Sequence, residues 1–215
     1  MEADRTDEAH LQPYRDAVRQ FGPTFEATLW GTEDAQRLRF DVLIDMIGLA
    51  TGERDDHAPA LLDIGCGRGD LAARLIERCI AFSRYVGLDA LPEMIDAANA
   101  RNLAQCEFNV MNVVRDAKSL EAFQPDYCLI SGTMNTMDDA TAKRLVHAAF
   151  DAAAQGVAFN FLSDRYAPKW NAQPLGPARR FQTLAWFDWA FSLSPRISFA
   201  QDYLDGHDAT IVIRH

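Results

Sequence analysis

No stretch of this sequence approaches the roughly 18 consecutive apolar residues of a membrane-spanning helix. The N-terminal segment Met1-Glu2-Ala3-Asp4-Arg5-Thr6-Asp7-Glu8 is too acidic and polar for a secretory leader. A cytoplasmic chain without a membrane partner is therefore expected. The four cysteines, Cys66, Cys79, Cys106 and Cys128, contain no C-x-x-C pair, so free thiols buried in a reducing compartment are expected. The five histidines, His10, His57, His147, His207 and His215, show no metal-ligand spacing, and no metal is expected. His147 reads as structural, and His207, in a terminal hairpin turn, as either an exposed residue or one that approaches a substrate pocket. There is neither a G-x-S-x-G elbow nor a paired His–Cys arrangement, which leaves hydrolase chemistry without support. Basic runs are missing too. Lys and Arg total 21 against 31 Asp and Glu, for a net charge of −10, and nothing basic extends beyond Arg179-Arg180. Phosphate backbones are held by clustered cations, so nucleic acid is not the expected partner. A small molecule is, with neutral or cationic ones favoured by long-range steering.

What is present is ordinary globular material: 48% hydrophobic and 24% charged residues over 215 positions, enough for one α/β unit with a good core. Residues 11–30 mix apolar anchors with turn signals at Pro13 and Gly22-Pro23. A helical pattern follows over 33–49, then a polar linker over 51–59. Strand and helix patterns then alternate: strand 60–65, helix 69–81, strand 84–88, helix 91–103, strand 106–110, a short helix near 116–122, strand 126–131, helix 138–153 and strand 156–162. Prolines and Gly176 break the rhythm over 163–180. A helix near 180–192 and a hairpin, strands 196–204 and 209–214 about Asp205-Gly206, complete the chain. Such alternation predicts a parallel sheet covered on both faces.

The most specific segment is Leu61-Leu62-Asp63-Ile64-Gly65-Cys66-Gly67-Arg68-Gly69-Asp70. An apolar strand ends in an acid, passes three alternating glycines and opens a helix. Glycines permit close backbone approach and φ values that a Cβ forbids. A second strand, Tyr85-Val86-Gly87-Leu88-Asp89, also ends in an acid, where a ribose hydroxyl can be held. A dinucleotide fingerprint is G-x-G-x-x-G; here the third glycine comes one residue early, and an acid stands two residues before the first.

This pattern resembles motif I of the class I S-adenosylmethionine (SAM) methyltransferases, and Asp89 matches their ribose-binding acid. The resemblance implies a three-layer α/β/α sandwich around a seven-stranded, mostly parallel Rossmann-like sheet of order 3-2-1-4-5-7-6, strand 7 antiparallel. It implies SAM as cofactor, S-adenosylhomocysteine (SAH) as product, and a cofactor site containing Asp63, Gly65, Cys66, Gly67, Asp89, Ala90 and Met94. In Glu107-Phe108-Asn109-Val110-Met111-Asn112-Val113, Asn112 replaces the aspartate that relatives use on the adenine amino group. Its side-chain carbonyl accepts the same bond, with Val113 beside it. Pro125-Asp126-Tyr127-Cys128-Leu129-Ile130-Ser131-Gly132 corresponds to motif IV and places Ser131 and Gly132 at the sulfonium side.

Residues 1–50 read as an N-terminal helical lid and 51–215 as the cofactor-binding domain, one compact unit overall. In the lid, Tyr14, Phe21, Phe25 and Trp30 surround the Gly-Pro turn. Arg39 is either the partner of the methionyl carboxylate or a solvated helix residue. Candidates facing the methyl acceptor are Asn135 and Tyr166. Asn160 is either one more or a satisfied structural amide. Trp170 with Trp186-Phe187-Asp188-Trp189 is either a wall for a cationic acceptor or helix-to-sheet core. The expected activity is direct methyl transfer to an N, O or S atom of a small molecule, by a monomer or homodimer. The alternatives are a non-catalytic SAM-fold binding protein, a partner subunit of a methyltransferase complex, or a nucleotide-dependent dehydrogenase.

Overall fold

The computed structural model describes residues 8–49 and 58–215. The acidic leader, most of the expected linker, and the boundary at 50/51 lie outside the described residues. Seven strands form one sheet: β1 (Ala60–Ile64), β2 (Arg84–Asp89), β3 (Cys106–Val110), β4 (Tyr127–Ile130), β5 (Gly156–Leu162), β6 (Ile197–Ala200) and β7 (Asp208–Arg214). Their order is β3-β2-β1-β4-β5-β7-β6. The first five are parallel, while β7 runs antiparallel to both β5 and β6. The fold expected from the motifs is the fold observed.

The alternation of side chains along a strand splits the core into two layers. Leu62, Ile64, Val86, Leu88, Ile130, Phe159 and Phe161 pack under α5 (Asp139–Ala152) and α6 (Thr183–Leu193) through Leu145, Val146, Phe150 and Trp186. Leu61, Tyr85, Tyr127, Leu129 and Val212 face the opposite way, against α2 (Glu33–Met46), α3 (Asp70–Glu77) and α4 (Pro92–Ala100). There Phe40, Leu43, Ile44, Leu71, Leu75 and Ile95 complete the layer. Each fully buried large aliphatic contributes about 1.5–3 kcal/mol, which lets this layer carry two buried acids, Asp63 and Asp208. Two helices start on side-chain caps: Thr32 accepts from the Ala35 N–H at 3.1 Å, and Asp138 from the Thr141 N–H at 2.8 Å.

Several expectations change. A helix, α1 (Gln12–Phe21), stands where turn signals predominate in the sequence; Pro13 lies in its first turn, where a missing N–H costs nothing. The segment near 116–122 is a 3-10 helix, Ala117–Phe123. Trp186 is core, fully buried among Phe159, Phe161 and Phe181, with its Nε1–H donating to Asp139. Cys79 is exposed, while Cys66 and Cys128 are buried, and all four thiols are free. None of the described helices is long and apolar enough to cross a membrane.

Candidate active site

Parallel sheets bind ligands beyond the carboxyl ends of their strands, and the main cavity lies there. About 920 Å³ of empty space, part of it open solvent at the mouth, lies between its walls. Its floor is the turn between β1 and α3. Gly65 adopts φ +77°, and a Cβ there would stand 2.1 Å from Thr133 Oγ1. That hydroxyl donates to the Ile64 carbonyl at 2.9 Å, tying the β1 turn to the β4 turn. The N–H groups of Gly65 and Cys66 both donate to the Leu88 carbonyl, at 2.7 and 3.0 Å. A Gly65→Ala substitution is therefore expected to lower Tm by roughly 2–8 °C from backbone strain alone. An unchanged thermal melt would show that the loop does not adopt this conformation.

Asp89 closes the next corner. Its two oxygens accept from the Gly67 and Leu91 N–H groups, each at 2.9 Å. Burial pushes its pKa up, and the backbone donors of Leu91, Gly67 and Ala90 oppose that shift. Asp63 lies deeper. Burial raises its pKa to about 7, helped by the negative charges of Asp89 and Asp70 and opposed by the hydrogen bond from the Tyr85 hydroxyl. Burial likewise pushes the Cys66 thiol well above its ordinary range, so it is inert packing.

The third wall comes from β4. Asn160, buried on β5, accepts from the Gly132 N–H at 3.0 Å and donates to Ser131 Oγ at 2.9 Å. It is a satisfied amide that fixes the β4 turn. Gly132, at φ +75°, leaves the space that the Trp30 ring occupies, since a Cβ would meet that ring at 2.4 Å. His10, Leu11 and Tyr14 of the first helical segment, with Ala27, Thr28 and Trp30, line the cavity from the N-terminal side. Burial raises the Tyr14 hydroxyl to about 12.

The lining contains three carboxylates, Asp63, Asp70 and Asp89, and neither Lys nor Arg. A pyrophosphate would meet three like charges there; a ligand with cationic groups meets complementary ones. The glycine turn, the strand-end acids and residues 61–156 as a whole match the family model described as methyltransferase domain. Over this segment the chain is similar to the methyltransferase domain family.

Solved structures of similar fold include magnesium protoporphyrin IX methyltransferase from Synechocystis PCC 6803 with bound SAH. It has 13% identity and a TM-score of 0.65, with coverage of 99% of this chain and 97% of that one. The DhpI–SAH complex has 16% identity and a TM-score of 0.60, with coverage of 96% and 95%. The small RNA methyltransferase HEN1 has 13% identity and a TM-score of 0.65, with coverage of 83% of this chain and 25% of that one. A search of curated protein sequences finds no significant match.

Of the candidate cofactor residues, Trp30, Asp63, Gly65, Cys66, Gly67, Asp89, Ala90, Met94, Asn112, Val113, Ser131 and Gly132 line this cavity. Arg39 does not. It is neither solvated nor turned to the cavity: its Nε and Nη2 donate to Asp208 Oδ1 and Oδ2, each at 2.6 Å, and its guanidinium lies 4.7 Å from the Trp30 ring. Asn135 is also outside the lining; its amide oxygen accepts from the Leu162 N–H at 3.2 Å, so it braces β5. Tyr166 lies under the Arg180 guanidinium, 3.6 Å from its centre, and outside the lining. The Asn112 amide oxygen already accepts from the Val114 and Arg115 N–H groups, at 3.2 and 3.4 Å, because it closes a local turn. Lining residues that carried no sequence signal include Ala27, Thr28 and Met137, while Gln36 and Asp70 entered only as members of their segments. Gln36 and Asp70 look like ordinary helix-surface residues until the turn brings them together.

Proposed function

We propose that this chain is a SAM-dependent methyltransferase acting on a small molecule, with Asp89 holding the ribose of SAM and Asp63 its ammonium group. The observation that supports this most is the acid-only charged lining beneath an N-terminal cover, which suits a compact cationic cofactor and leaves little room for a polymer. When bound, SAM supplies a methyl group activated by its sulfonium. The chain does the rest. Asp89 and the Gly67 turn fix the ribose, while Asn160 sets the Ser131–Gly132 corner beside the reacting end. Tyr14 and Trp30 exclude water, and correct placement of reactants supplies up to roughly 7–11 kcal/mol in favourable intramolecular cases. Residues 8–49 act as the lid, and the chain works in the cytoplasm.

Calorimetric titration with SAH tests this, and its pH dependence is specific. The folded pKa of Asp63, about 7, lies above its ordinary 3.8. A ligand ammonium favours the ionised form, so affinity rises with pH up to about 7 and then levels, by at most about tenfold per unit. Asp63→Asn abolishes the slope and weakens binding above pH 7. Tighter binding of a nicotinamide dinucleotide than of SAH would sink the assignment. Leu184, Phe191 and Phe199 are exposed on α6 and β6, with half-buried Phe187 in ring contact with both phenylalanines, and this apolar cluster favours a second reading, a subunit within a complex. A monodisperse monomer that turns over SAM with a metabolite would dispose of that alternative.

A further inference from the structure

A second polar centre lies outside the cofactor cavity, on the same edge of the sheet. His207 immediately precedes β7, and Asp208 is paired with Leu162, the last residue of β5. Two places along the sheet, Gly132, just past the end of β4, is bonded to Asn160 of β5. His207 is therefore at the carboxyl edge, over β5 and β7, while the cofactor residues occupy β1, β2 and β4.

The histidine is not an exposed turn residue. It is 4% exposed, with its ring 4.1 Å from that of Trp170. Its Nδ1 lies 2.8 Å from Asp208 Oδ2, and Asp208 is clamped by both guanidinium bonds of Arg39. An ionised carboxylate only accepts, so Nδ1 carries the proton, and in the neutral ring Nε2 then presents a lone pair. That Nε2 is buried and without a partner. The adjoining Arg180 donates from Nη1 to the carbonyls of Ser163 and His207, at 2.7 and 3.3 Å, while its Nη2 is also buried and unpartnered. Among the described residues, two of the three buried side-chain polar atoms lacking a partner thus belong to this one cluster. Buried polar groups are normally satisfied. One is an acceptor and the other a donor. A hydroxyl, which both donates and accepts, complements the pair.

We propose that His207, oriented by Asp208 and Arg39, is the proton acceptor of the methyl-acceptor site, and that the acceptor is a phenol or similarly acidic hydroxyl compound. This rests on the methyltransferase function proposed above. The hydroxyl proton passes to Nε2, and the O–H electron pair stays on oxygen. Asp208 balances the imidazolium, as a triad aspartate does, and Arg180 stabilises the oxyanion. The freed oxygen pair forms the bond to the transferred methyl carbon as the carbon–sulfur pair returns to sulfur. Charged and titratable groups packed around the imidazole and its aspartate are Asp208 and Tyr203 beside it in the chain, Arg39 from α2, and Arg180 with Tyr166 from the 163–182 segment. Next to the imidazole, Arg39 and Arg180 oppose the single Asp208 carboxylate, while Lys169 and Asp205 beside Trp170 pair with each other; this arrangement favours a developing oxyanion at Arg180.

The probe is 4-nitrophenol, whose phenolate is coloured, titrated into SAH-loaded protein one pH unit below the probe's own pKa. Wild type is expected to bind it saturably and to raise its phenolate absorbance. His207→Asn keeps an N–H toward Asp208 but lacks Nε2. It should hold SAH within about twofold of wild type, bind the probe at least about tenfold more weakly, and show no phenolate band. His207→Gln restores a polar group near Nε2 that cannot take a proton, so part of the binding returns and the band does not. Wild type that binds SAH but not the probe, or a His207→Asn protein with an unchanged phenolate band, overturns this proposal alone. Wild type that binds no SAH overturns the methyltransferase function as well.

Discussion

Asp89→Ala is expected to weaken SAH binding at least about 100-fold in a protein that still folds. The Asp89 oxygens accept backbone N–H groups from Gly67 and Leu91, with the Ala90 N–H also close, and a carboxylate has about four acceptor positions. Asp89 lines the cavity, where a ribose diol would compete for them. Hydrogen bonds to a charged group contribute about 1.5–3 kcal/mol each, so two give about 3–6 kcal/mol, or 10²–10⁴ in affinity. Alanine also frees the Gly67 N–H, loosening the turn that shapes the pocket. Asp89→Asn should fall between, because one amide nitrogen must then face either the Gly67 or the Leu91 N–H. Calorimetry decides: an Asp89→Ala protein within threefold of wild type would remove Asp89 from the ribose.

The parts of this molecule that were legible from sequence are those written locally. The glycine turn and the two strand-end acids sit within one β-α-β unit, so spacing alone places Gly65, Gly67 and Asp89 in one cavity. The order of the sheet followed from alternating periodicity and the resemblance those motifs carry. What escaped depends on partners far apart in the chain. Arg39 and Asp208 are 169 positions apart, and nothing in Gln36-Arg37-Leu38-Arg39-Phe40 distinguishes the arginine that turns inward from the one that does not. His207 has the neighbours of a turn residue, yet Trp170 and the start of β7 bury it. Pro13 reads as a breaker unless its place in the first turn of α1 is known. Asn135 and Tyr166 follow the correct strands, but backbone bonding and the Arg180 stack claim their side chains.

Arg39→Ala should cost about 3–5 kcal/mol of stability, which for a chain of this size is roughly 6–20 °C in Tm. The size comes from burial. Arg39 and Asp208 expose 6% and 1% of their side chains, so removing the guanidinium strands a carboxylate in the interior with His207 as its nearest side-chain donor. The penalty belongs largely to that stranded charge, and removing it should recover part of the loss. Arg39→Ala combined with Asp208→Asn is therefore expected to be more stable than the sum of the two single losses predicts, by about 0.5–3 kcal/mol. Strict additivity in denaturant melts would show that the pair is not coupled. SAH affinity separates this role from direct ligand binding. If Arg39 held the methionyl carboxylate, its loss would reduce affinity as severely as loss of Asp89. Acting only through the Trp30 ring it supports, it should change affinity by less than about tenfold while stability falls steeply.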